Sequence, residues 1–221
     1  MEADSKIENR KSKMPMPQYI DLSHPITHEM PVYPGDVPVS LQQITAFSEE
    51  GHSNFLLSTG MHAGTHLDGP MHMTSSLTRM AELPIDHFAG PGFLVNAVGQ
   101  KMIDLPESAF DHLQPGSVVL FYTGFDLWYG QKAYYLSYPE LSEKTALHLV
   151  KKKVKMVGMD CPSPDYEPFK IHDILLNAQI LIIENLTNLS ALLHYQDFEL
   201  LAFPLKIRAD SSPVRVVARI S

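Results

Sequence analysis

The sequence predicts a strand-rich α/β fold in one domain, on three observations. A chain of 221 residues suits one domain of the larger kind and is long enough to bury a real core. Apolar runs of strand length recur along it, and segments with helical spacing are few. Neither an internal repeat nor a linker composition interrupts residues 18–221.

Taken in order, residues 20–26 read as a short strand ending near Pro25. Residues 30–36, Met-Pro-Val-Tyr-Pro-Gly-Asp, form a rigid loop, because Pro31, Pro34 and Gly35 fix its turns. Tyr33, held between prolines, suits a pocket wall or a packed surface loop equally well. Strands are expected at 39–47 and 53–61, the second leading into a cluster of histidines, which places that cluster at a strand end. Leu83-Pro84-Ile85 closes a polar segment, and 86–88 is a turn. Further strands follow at 92–98, 117–122 and 155–159, with a short helix at 106–113. A helix is expected at 138–152, with Pro139 in its first turn and Leu141, Ala146, Leu147 and Val150 as its apolar positions. The last strands fall at 200–207 and 214–220, joined by an Asp210-Ser211-Ser212-Pro213 turn.

Composition removes several function classes. Hydrophobic residues make up 44% and charged residues 19%, as in ordinary globular proteins. The net charge is −8 and no basic patch stands out, so neither nucleic acid nor an anionic membrane is expected as a partner. With Cys161 alone, an intrachain disulfide cannot form. Cys161 reads as a packed thiol, since no cation beside it would favour the thiolate. No apolar run reaches the length of a membrane span. Residues 1–17 read as a flexible polar tail without a signal-peptide core, and the expected location is cytoplasmic.

The informative stretch is His62-Ala-Gly-Thr-His-Leu-Asp-Gly-Pro-Met-His72, with three His and one Asp in eleven residues. Imidazole and carboxylate are the usual ligands of zinc and its first-row neighbours. Gly60, Gly64, Gly69 and Pro70 exclude a helix. As extended chain, His62, His66 and Asp68 share one face, but His62 and Asp68 would then lie roughly 20 Å apart. The chain must bend, and Gly64 permits it. Pro70 then sets a turn that can return His72 to the rim.

A second half of the site is expected between residues 171 and 189. A helix at 173–178 advances roughly 10 Å, and a strand at 181–183 returns by about the same distance. His172 and Glu184 then meet at one end. Glu184 closes an apolar strand, where an unpaired carboxylate is costly to bury and a metal would settle the cost. The same residue suits a solvent-exposed strand end.

These residues resemble the cyclase family of metal-dependent hydrolases, which includes bacterial kynurenine formamidases and isatin hydrolases. The family marker His-x-Gly-Thr-His-x-Asp-x-Pro-x-His is complete from His62 to His72. Tyr33-Pro34-Gly35-Asp36, Leu83-Pro84-Ile85, Thr123-Gly124, Asp160, His172 and Ile183-Glu184-Asn185-Leu186 extend the match over residues 18–221. The resemblance implies a swivelling β/β/α domain, with a mixed β-sheet core and flanking helices. It implies one or two divalent ions, the first held by His62, His66, Asp68 and Glu184, the second by Asp68, His172 and Glu184. His72 matches the general acid/base. The implied reaction is hydrolysis of a small amide, aryl formamide or lactam by a metal-activated hydroxide. Donor chemistry suits Zn2+, Mn2+ and Fe2+, with Zn2+ the first expectation and Mn2+ the second. The resemblance also implies a homodimer or higher homo-oligomer acting on a small-molecule substrate.

Tyr33 stands where kynurenine formamidases carry Trp, a change that bears on the substrate rather than on the chemistry. Tyr122, Phe125 and Trp128 could supply aromatic surface to the pocket or pack in the core. Two other readings use the same residues: a metal-retaining small-molecule binder without turnover, and a ring-closing enzyme running the chemistry in the dehydrating direction.

Overall fold

A computed structural model describes residues 16–220, so the tail expected over 1–17 lies outside the described residues except for Met16 and Pro17. The strands are β1 (Gln18–Asp21), β2 (Ser40–Thr45), β3 (Asn54–Ser58), β4 (His66–Asp68), β5 (Ala89–Asn96), β6 (Met102–Ile103) and β7 (Val118–Tyr122). They continue as β8 (Glu140–Leu141), β9 (Met156–Met159), β10 (Leu181–Glu184), β11 (Phe198–Leu201), β12 (Ser211–Pro213) and β13 (Val217–Ile220). The α-helices are α1 (Phe47–Glu50), α2 (Glu143–Lys151) and α3 (Lys170–Asn177). The fold is mixed α/β and strand-rich, as the sequence predicts.

Nine strands form one mixed sheet in the order β1-β13-β11-β5-β7-β9-β10-β4-β12. The middle strands β5, β7, β9 and β10 run parallel, and the flanking pairs are antiparallel. Parallel strands are covered on both faces, so their sequences are apolar throughout. In β7, Val118 and Leu120 enter one core layer while Val119 and Phe121 enter the other. In β10, Leu181 and Ile183 face the first layer and Ile182 the second. Helices α2 and α3 fill the second layer with Ala146, Leu149, Leu175 and Leu176. Each of the buried Leu, Ile, Val and Phe side chains among these stabilises the fold by roughly 1.5–3 kcal/mol through burial.

β4 lies between β10 and β12 and pairs antiparallel with both. Leu67 points into the first core layer. His66 and Asp68, by strand parity, point to the opposite face, the side of Ile182 and α3. Glu184 is directly opposite His66, and Ile182 opposite Asp68.

Four local expectations are corrected. The histidine stretch does not sit at the end of the preceding strand: β3 pairs only with β2 in a separate two-stranded sheet, and the stretch forms its own strand β4. The helix expected at 138–152 begins only at Glu143, because Ser142 caps it by accepting a hydrogen bond from Thr145 N–H. Glu140 and Leu141 instead pair with β6, and Leu147 is exposed while Leu149 is buried. The strand expected at 200–207 stops at Leu201, short of Pro204, whose ring removes a ladder donor. Within the expected 210–213 turn, residues 211–213 form β12 and pair with β4.

Candidate metal centre

The histidine stretch bends where the sequence requires it. Gly64 has φ +63°, and a Cβ there would meet Met30 Cε at 2.6 Å. The bend sets His62 beside β4 rather than in line with it, with Nδ1 2.9 Å from Asp68 Oδ1. After β4, His72 N–H donates to Gly69 C=O at 3.0 Å, closing the turn that brings the His72 ring 4.1 Å from that of His62. His172, in the first turn of α3, places Nε2 3.3 Å from Glu184 Oε1 and 4.0 Å from Asp68 Oδ2. His66 Nε2 lies 3.3 Å from Glu184 Oε2 and 3.5 Å from Asp68 Oδ1. All six residues predicted for metal and proton chemistry therefore converge. Tyr33 lines the same cavity of about 170 Å³, together with His62, His66, His72, His172 and Glu184.

Three of the imidazoles share one arrangement, in which one nitrogen is anchored outward and the other aimed at the carboxylates. His66 Nδ1 donates to Gly64 C=O at 2.8 Å, leaving Nε2 inward. His172 Nδ1 donates to Asp165 Oδ1 at 2.6 Å, again leaving Nε2 inward. His62 Nε2 donates to Asp210 Oδ2 at 3.0 Å, leaving Nδ1 inward. Outer acceptors of this kind fix the tautomer and raise the basicity of a metal-ligating histidine. Asp165 Oδ2 also accepts from Ile171 N–H and His172 N–H, so the residue that orients His172 also caps α3.

The donor set fits a divalent cation. His66 Nε2 and both Asp68 carboxylate oxygens are buried and lack hydrogen-bond partners among the described residues. Leaving such groups unsatisfied in an apolar interior is costly, and a cation would satisfy all three. Two triads have ligand atoms within 4.8 Å of one another: His66, Asp68 and Glu184, and His62, Asp68 and His72. Asp68 belongs to both, as a bridging carboxylate would. The second triad also makes His72 a candidate ligand, beside the acid/base role that the resemblance implies.

Charge shapes the site without an ion. Burial works against protonated His62, but contacts with Asp68 and then Asp210 outweigh it and raise the imidazole to about 9. Burial likewise opposes charge on His172, and the hydrogen bonds to Asp165 and Glu184 overcome it, lifting it to about 10. His72 differs: burial holds it below its ordinary value, with Asp68 pulling only partly back. Burial would raise Asp68, but neighbouring His66 and His62 hold it below the ordinary carboxylate range.

Reading the sequence alone misses Asp165, Asp210, Tyr135 and Phe169, of which the last two line the cavity beside Tyr33. Asp165 sits in an acidic loop after a strand, a weak pointer to a site. Asp210 carries no local signal, since its place depends on pairing between β4 and β12, far apart in the chain. Tyr122, Phe125 and Trp128 do not line this cavity: Phe125 stacks on Tyr134, Tyr122 packs against the core, and Trp128 is exposed. Cys161 is buried, with its thiol pushed up by burial, in keeping with a packing role.

Sequence comparison defines the class. Residues 20–166 match the family described as "Putative cyclase", and the chain belongs to that family. Its relatives include the kynurenine formamidase of Geobacillus thermodenitrificans (strain NG80-2), 31% identical over 211 residues, covering 92% of this chain and 98% of the relative. The kynurenine formamidase of Bacillus anthracis is 30% identical over 210 residues, covering 91% and 97%. Among solved structures, isatin hydrolase A from Labrenzia aggregata bound to benzyl benzoate superposes with a TM-score of 0.82 at 22% identity, covering 92% of this chain and 94% of that one. A structure titled "Potential Metal-Dependent Hydrolase With Cyclase Activity" gives a TM-score of 0.77 at 25% identity, covering 93% and 99%.

Proposed function

We propose that this protein is a metal-dependent hydrolase of a non-peptide C–N bond in a small amide, aryl formamide or lactam. The observation that carries the reading is the set of outward-anchored imidazoles around two buried carboxylates. The kynurenine formamidase relatives, which align over nearly the whole chain, support the reaction class. His62, His66, Asp68, His172 and Glu184 would hold one or two divalent ions, Zn2+ first and Mn2+ second. A bound ion supplies acidity that lets water lose a proton near neutral pH, and positive charge that polarises a carbonyl.

The chain's own groups do the rest. His72 lines the cavity, and burial keeps it neutral near pH 7, the form a general base needs. It takes a proton as oxygen bonds to the carbonyl carbon, and returns it to nitrogen as the C–N bond breaks. Tyr33, Tyr135 and Phe169 offer flat apolar walls for an aryl substrate. The same proposal includes a homo-oligomer, supported by an exposed apolar hairpin formed by β2 and β3.

The test is turnover of an aryl formamide, isatin and a simple lactam by protein loaded with Zn2+ or Mn2+. Hydrolysis of at least one is expected. No turnover on any, in protein shown to hold metal, would replace the enzyme with a binder. Ring-closed products would reverse the direction. In His72→Ala, turnover is expected to vanish while metal content stays; metal loss would make His72 a ligand.

A further inference from the structure

Asp210 lies just ahead of β12, at the edge of the candidate centre. Its position is set by main chain. Ser211 pairs with Asp68, and Gly69 N–H donates to the Asp210 carbonyl at 2.9 Å. Its side chain reaches two histidines through one oxygen. Oδ2 is 3.2 Å from His72 Nδ1 and 3.0 Å from His62 Nε2. An ionised carboxylate can only accept, so both nitrogens carry hydrogen. Ser211 Oγ, also 3.0 Å from His62 Nε2, is the second polar neighbour of that nitrogen.

We propose that Asp210 is a positioning residue shared by both functions of the site, holding His72 in the tautomer that bares Nε2 and turning His62 Nδ1 toward Asp68. A neutral imidazole has one bare nitrogen, and only that nitrogen can take a proton. With Nδ1–H committed to Asp210, the bare nitrogen of His72 is Nε2. The same oxygen holds the opposite edge of His62, so the orientation of the proton-transfer ring and that of a metal-ligating ring are tied to one carboxylate. The role assigned to His72 rests on the hydrolase reading; its tautomer does not.

The experiment uses the full chain loaded with zinc and labelled with nitrogen-15 histidine. Imidazole nitrogen resonances report the tautomer, and His72→Ala assigns the signals. Wild-type His72 is expected to carry its hydrogen on Nδ1. Asp210→Asn offers amide donors as well as an acceptor, so His72 is expected to move toward the Nε2–H tautomer. In that variant kcat is expected to fall roughly 10–100-fold with KM little changed, and zinc affinity to weaken by a similar factor. Asp210→Glu, which keeps the carboxylate, is expected to restore the tautomer and part of kcat. Hydrogen on Nε2 in wild-type His72 would overturn the proposal. So would an Asp210→Asn protein that keeps both tautomer and rate. If Asp210→Asn does not fold, the wild-type resonances decide. If the wild type turns over none of the substrates tried, the tautomer and zinc measurements still test Asp210 while the hydrolase reading fails separately.

Discussion

At the scale of residues, the candidate centre would couple protons to a metal. His62 and His172 stand at about 9 and about 10, against 6.5 for an ordinary imidazole. Without metal, the folded chain therefore holds protons that the unfolded chain gives up above about 6.5. A group whose folded value is raised contributes its full stability below the unfolded value and loses it as pH climbs through the folded value. The metal-free protein is thus expected to lose thermal stability as pH rises from about 6.5 to about 10. Zinc bound at these residues would have to displace the same protons, so its affinity is expected to increase over that range. Melting temperature and chelator competition across pH read both trends; flat profiles would contradict them. Asp165→Ala removes the acceptor of His172 Nδ1 and the cap of α3 together. Zinc affinity is expected to fall roughly 10–100-fold, measured by competition with a chelator. The ligand types were legible in the sequence because they are crowded within His62–His72 and repeated at His172 and Glu184. Their outer acceptors were not, because an Asp in a loop looks like any solvated turn until the pairing that places it is known.

At the scale of elements, strand register does the positioning. β4 holds His66 and Asp68 two residues apart on one face, and its two neighbours bring Glu184 and Asp210 alongside. Gly69 makes the second approach possible: a Cβ there would lie 2.8 Å from the Asp210 carbonyl oxygen and 2.8 Å from Met80 Sδ. Met80 can shift, but the carbonyl directly precedes a paired strand and accepts the Gly69 N–H hydrogen bond. Gly69→Ala is therefore expected to destabilise the fold by roughly 1–3 kcal/mol. In a chain of this size that lowers the melting temperature by roughly 2–4 °C per kcal/mol. Zinc affinity should drop with it, since Asp210 is displaced; an unchanged melting temperature would show that β12 yields freely. Apolar runs such as Val118–Tyr122 announced their strands in the sequence. β12 did not, because Ser-Ser-Pro has no strand signature and forms only by pairing with β4. The start of α2 was misplaced because Pro139 and Ser142 both suit a helix start, and pairing of Glu140 and Leu141 with β6 decides between them.

At the scale of the whole molecule, the sheet order was beyond reach of local pattern. Nothing in the segments themselves says that β4, early in the chain, inserts between β10 and β12. One part of the architecture stands apart from the two-layered core. The β2–β3 hairpin forms its own sheet, and Ile44, Phe55, Leu56 and Leu57 on it are 53%, 55%, 56% and 44% exposed. A two-stranded ribbon is marginally stable alone, and Phe55 and Leu57 leave an apolar patch exposed on one of its faces. A second copy of the chain would meet both needs, burying the patch and bracing the ribbon. β3 ends four residues before His62, so such a contact would also steady the entry to the centre. Light scattering is expected to give a multiple of the chain mass. Phe55 and Leu57 share one face by strand parity, and replacing both with Asp is expected to release monomer if that face is the contact. A wild-type monomer would remove the oligomer from the proposal. An oligomer that survives the double substitution would move its interface off this face of the hairpin.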